Sequence, residues 1–74
     1  MAYDYSKLAG RIIEYYGTQG AFAKAMGLSE RTMSLKMNSI RPWKQTEILL
    51  ACQLLEIATN EIGSYFFKKK VQSA

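Results

Sequence analysis

Residues 18–38 read as two short helical patterns separated by a single glycine, and this constrains the fold more than anything else in the chain. Ala23 sits four residues before Gly27, and Met33 six residues after it. Two helices can cross closely only where the side chain at the crossing is small, and Ala23 supplies one. Gly27 can take the left-handed backbone that ends a first helix. Leu28 then plugs the turn, and Ser29 suits the N-cap of a second helix. Met33 and Met37 are expected to face a core. The expected arrangement is a helix-turn-helix, with an exposed second helix led by Ser29, Glu30 and Arg31 that fits a DNA major groove.

The remaining chain must supply that core. Its 74 residues make one small domain, in which most apolar side chains have to be used. Hydrophobic residues form 49% of the chain, too many for a disordered one. The net charge of +4 agrees with an anionic partner, and equally with a merely basic surface. Histidine is absent, which removes the usual general base and the commonest metal ligand. Cys52 is the sole cysteine, so no internal disulfide forms, and its setting in Ile48-Leu-Leu-Ala-Cys52 points to packing. The six acidic residues make no paired motif, and no glycine-rich phosphate loop occurs. No catalytic residue, metal site or cofactor is therefore expected, and the chain is read as a non-enzyme. It has no basic leader with an apolar core and no apolar run of membrane-span length, so a cytoplasmic protein without a membrane partner is expected.

Helical spacing continues on both sides of the motif. Asp4 can cap a first helix over about Tyr5–Tyr16, with Leu8, Ile12 and Tyr15 or Tyr16 inward. Ala9 and Ile13 widen that stripe, while Lys7, Arg11 and Glu14 take the opposite side. Gly17 ends this helix, and Thr18 caps the second, Gln19–Met26, whose inner face is Phe22, Ala23 and Met26. Gly20 weakens the second helix by about 1 kcal/mol relative to alanine. It either admits a phosphate closely or has no role. The third helix spans about Glu30–Met37. Pro42 disfavours helix at Arg41. A fourth helix covers about Gln45–Leu55, with Lys44 at the cap position, Trp43 and Ile48 spaced for a hydrophobic staple, and Glu47 in the first turn. Ile48, Ala51, Cys52 and Leu55 form its inward row. Thr59 can cap a fifth helix from Asn60 to Tyr65 or Phe66, with Ile62 and Phe66 inward. The fold class is all-α, a compact five-helix domain over residues 1–67, with 68–74 as a basic tail. That tail either touches phosphate or is a solvated, frayed end. Phe67 is left outward if Phe66 is buried, which makes a homodimer contact there a candidate.

The order of these helices, with Gln19, Ala23, Gly27, Leu28-Ser29, Met33 and Asn38 at their places, resembles the Cro/CI-type helix-turn-helix family of phage regulators. Tyr3-Asp-Tyr-Ser-Lys-Leu8, Gly17-Thr-Gln19, Leu28-Ser-Glu-Arg-Thr32, Pro42-Trp-Lys-Gln45 and Tyr65-Phe-Phe67 look like the short Cro-like proteins of temperate phages of Gram-positive bacteria. Some of those, the modulators of repression, act as antirepressors on the repressor protein. The resemblance implies a role in the lysis–lysogeny switch, inside the bacterial host.

In that family the first residue of the second helix commonly holds a backbone phosphate, and Gln19 is at the matching place. Asn38, Arg41 and Lys44 are candidates for further phosphate contacts, which orient a protein but carry little sequence information. Base reading falls to Ser29, Glu30, Arg31, Ser34 and Leu35. Arg31 can donate two bonds to guanine. Glu30 can accept from cytosine N4, or it serves only the helix dipole or a neighbouring cation. Two positions depart from the family pattern. Lys36 stands where an apolar, core-facing residue is usual, and Leu35 where a polar, outward one is usual. Leu35 can touch a thymine methyl, anchor a protein, or tuck inward if the helix shifts. Two functions follow. The first is a regulator that binds double-stranded operator DNA against the lysogenic repressor. The alternative is an antirepressor that grips the cognate CI-type repressor, with Arg31, Leu35 and Phe67 as candidate partner contacts.

Overall fold

Helix α1 (Ser6–Tyr16) begins where Asp4 folds back on Ser6, its Oδ1 accepting from the Ser6 backbone N–H at 2.9 Å and the hydroxyl at 2.6 Å. The N-cap is Tyr5, so Asp4 serves the helix end from one position further out than expected. Gly17, at φ 81°, stops the helix. The computed structural model describes residues 3–70. Within them follow α2 (Gln19–Met26), α3 (Glu30–Met37), α4 (Gln45–Leu54), a 3₁₀ turn (Thr59–Glu61) and α5 (Ile62–Phe66). The protein is all-α, and an isolated antiparallel bridge between Tyr3 and Lys69 is its one extended pairing among the described residues.

The two helices of the motif end and start as their residues dictate. The Thr18 side chain accepts from the Ala21 N–H at 3.1 Å and caps α2. Gly27, at φ 74°, closes α2 in the left-handed region, and the Leu28 N–H bonds the Ala23 carbonyl. Ser29 Oγ accepts from the Thr32 N–H at 3.1 Å and opens α3. Phe22, Ala23 and Met33 are completely buried, so α3 is seated on α2 through the small residue that the spacing demands.

The core gathers Leu8 and Ile12 from α1, Phe22, Ala23 and Met26 from α2, Met33 from α3, Ile48, Ala51 and Cys52 from α4, and Phe66 from α5. Full burial of one such leucine or phenylalanine is worth about 1.5–3 kcal/mol. Trp43 completes it edge-on to Phe66, with ring centroids 5.2 Å apart. The radius of gyration, 11.8 Å, is close to the ~11 Å of a single folded domain this long.

Several expectations are corrected. Ile13 does not join the core and is 53% exposed, because α1 is covered on one side only. Arg11 is not a solvent-side residue. Its guanidinium reaches the far end of α4, donating to the Leu55 carbonyl at 2.9 Å and the Glu56 carbonyl at 3.0 Å. That end turns through Glu56 in the left-handed region, φ 53°, and the N–H of buried Ile57 bonds back to Cys52. Arg11 thus satisfies carbonyls that the helix leaves free. Thr59 does not cap a helix but starts the 3₁₀ turn, and Ala58 holds the preceding extended position. Tyr65 is buried beside Phe66, under the Lys7 ammonium at 4.6 Å from its ring.

The ordered pairing also passes Phe67. The Asp4 N–H bonds the Lys68 carbonyl at 2.6 Å, next to the Tyr3–Lys69 bridge. Residues 71–74 of the expected tail lie outside the described residues. Tyr3 is bound in turn to Ser39, whose Oγ accepts from the Tyr3 N–H and donates to the Tyr3 carbonyl, both at 3.2 Å.

Candidate functional site

Met33 in the core sets the roll of α3, and the rest of the helix follows from it. Ser29, Glu30 and Arg31 are exposed at its start, and Ser34 is half-buried one turn on. Leu35 does not project freely, as its place on the helical wheel suggests. It is half-buried, and its carbonyl accepts from the Ile40 and Arg41 N–H groups. The chain folds back over the end of α3 at this point. The same turn lifts Ile40 outward, 71% exposed, the most exposed large apolar side chain described. The sequence reading misses Ile40. Its signal is an apolar residue between Ser39 and Arg41-Pro42, in a loop with no helical row to bury it.

Lys36 holds that loop. It is the only charged residue in the described core, and its ammonium meets Glu47 at 2.7 Å and the Pro42 carbonyl at 3.0 Å. Trp43 lies beside it, ring centroid 6.0 Å away. Glu47 also accepts from the Lys44 N–H at 2.8 Å, so one carboxylate caps α4 and neutralises α3's buried lysine. Burial raises the Glu47 carboxyl, but the hydrogen bonds from Lys36 and Lys44 and the charges of both outweigh it and leave it below its ordinary value. The departure at position 36 is thus a buried cation with a partner supplied from the next helix.

The candidate phosphate contacts fall at separate places. Gln19 and Asn38 line a common cavity of about 330 Å³ with Tyr3, Asp4, Ser39 and Lys70. The Asn38 amide turns back onto α3, donating to the Ser34 carbonyl at 2.8 Å and its hydroxyl at 3.3 Å, rather than outward. Arg41 lies elsewhere, in a cavity of about 320 Å³ lined also by Trp43 and Phe67. Lys44 is exposed at the α4 N-cap. Phe67 is 52% exposed while Phe66 is buried, and it packs edge-on to Tyr3 at 6.0 Å.

Gly20 acquires a neighbour. The Glu30 side chain lies across α2 at this residue, and a Cβ there would collide with the Glu30 carboxylate. The first turn of α2 is therefore faced by an acidic group of α3. Among the described residues no three His, Cys, Asp or Glu side chains gather as a metal site requires, and no helix is long and apolar enough to cross a membrane.

No curated protein matches the chain. The solution structure of the modulator of repression (MOR) of the temperate bacteriophage TP901-1 from Lactococcus lactis is 56% identical to it, with a TM-score of 0.82 over 97% of each chain. A family described as "Protein of unknown function (DUF739)" matches residues 1–69. Neither match carries the Cro/CI-type name. With nearly its whole length matched, the chain belongs to the DUF739 family.

Proposed function

We propose that this chain is a regulator in a phage repression switch, acting as an antirepressor through the outer face of α3 and the loop that follows it. The observation that carries the reading is Ile40, a large apolar side chain 71% exposed at the exit of α3 and tied to Leu35 through the backbone. Such a side chain gains little beside phosphates, whereas a protein partner can bury it. Leu35 near the end of α3 and Arg31 at its start are the further candidate contacts on this helix. The likeness to a phage modulator of repression supports the same class of role. In this reading the partner is a CI-type repressor, met in the host cytoplasm. The test is a titration of the cognate repressor with the purified protein and with Leu35→Asp and Ile40→Asp. Loss of the complex in both variants, with helicity and melting retained, is the expected result. A complex that survives both changes refutes the use of this face.

A second reading keeps operator DNA as the partner, with α3 in the major groove. It is favoured by the exposure of Ser29 and Arg31 and by the cavity that Gln19 shares with Lys70. Titration against early-promoter DNA at two salt concentrations, with and without repressor, separates the two. Tight, selective, salt-sensitive binding by the protein alone favours DNA.

A further inference from the structure

We propose that Glu30 is a specificity-determining residue that closes the amino end of α2 to DNA phosphate. This deepens the antirepressor reading and rests on it. Helix α2 leaves its first N–H groups without intrahelical partners, and Thr18 Oγ takes only that of Ala21. Such an end attracts anions, and a DNA phosphate is the anion a helix-turn-helix would meet there.

In this chain an acidic side chain already lies beside that end. The Glu30 carboxylate lies against Gly20, the second residue of α2, with its Cδ only 3.1 Å from where a Cβ at position 20 would stand. Glycine at 20 is what lets the acidic side chain lie down. The choice left open by the sequence, phosphate approach or no role, thus resolves toward a carboxylate of the protein itself. A phosphate arriving at α2 meets negative charge beside the free N–H groups. Repulsion between two such charges, together with the lost contact, costs affinity for every DNA sequence equally. Arg31, one residue along, stays exposed and free to contact another partner.

The experiment compares wild type, Glu30→Ala, Glu30→Gln and Glu14→Gln in binding a short fluorescein-labelled duplex of random sequence. Glu14 is an exposed carboxylate on α1, so its variant shifts net charge as Glu30→Gln does, without touching α2. At about 50 mM salt both Glu30 variants are expected to bind about tenfold more tightly than wild type, and the gain is expected to shrink as salt rises. Glu14→Gln is expected to stay within about twofold of wild type. Unchanged affinity in Glu30→Gln, which keeps the side chain's shape, overturns the proposal. An equal rise in Glu14→Gln overturns it as well, because the effect is then net charge alone. Repressor binding by the wild-type protein is measured separately. Its absence sinks the antirepressor reading without altering the comparison among duplex affinities.

Discussion

The Lys36–Glu47 pair makes an asymmetric prediction. At 2.7 Å and an effective dielectric of about 20, the attraction is about 6 kcal/mol. Desolvation costs several kcal/mol per ion, so the net value of the intact pair is small. Removing one partner is a different matter, and the two removals are not equivalent. The Lys36 side chain is 3% exposed and that of Glu47 is 15% exposed. In Glu47→Ala the buried ammonium keeps only the Pro42 carbonyl as a hydrogen-bond acceptor, and α4 loses the acceptor for the Lys44 N–H. The expected cost is about 3–4 kcal/mol, a large part of the ~4–11 kcal/mol available to a domain of this size. In Lys36→Met the carboxylate still caps α4 and turns toward solvent, while the methionine fills the place left by the lysine stem. The expected cost is below about 1 kcal/mol. Urea unfolding followed by circular dichroism measures both, with an unchanged slope as the sign that the native state is intact. A Lys36→Met cost equal to that of Glu47→Ala would show that the buried cation is not the burdened member of the pair.

Two further outcomes follow from single groups. Because the Glu47 carboxyl sits below its ordinary value of 4.5 when folded, its stabilisation is complete above that pH and is lost as pH falls through the folded value. The midpoint of urea unfolding is expected to drop on acidification below about pH 4.5, and to drop less steeply in Glu47→Gln. Gly27→Ala meets no steric obstacle but must hold φ 74° with a Cβ, so it is expected to cost about 1–2 kcal/mol, read as a fall in melting temperature.

Where local chemistry decides, the sequence is legible. Helix α2 and helix α3 start and stop at their expected residues because Thr18, Gly27 and Ser29 each act on neighbours within a turn. The inward row of α4 is likewise readable, from spacing alone. Arg11, Lys36 and Glu30 are not. Each is answered by a residue from another helix or loop: the Leu55 and Glu56 carbonyls, Glu47, and Gly20. Periodicity on one helix cannot reveal such partners. Position 36 does announce itself as a departure from an apolar pattern, but nothing near it in the chain names Glu47. Position 35 is read from a wheel that takes the helix as free-standing. In the fold Leu35 is half-buried, and the most exposed apolar side chain is Ile40, five residues onward.

The clasp between Tyr3 and Lys69 brings the two ends of the described chain to one corner. That corner is tied to Ser39, just beyond α3. Anything fused to either end, whether an affinity tag, a fluorophore or a second domain, hangs beside the candidate interface rather than behind it. A label at Lys70 is therefore a built-in reporter of partner arrival, and a bulky fusion at either end is a built-in competitor.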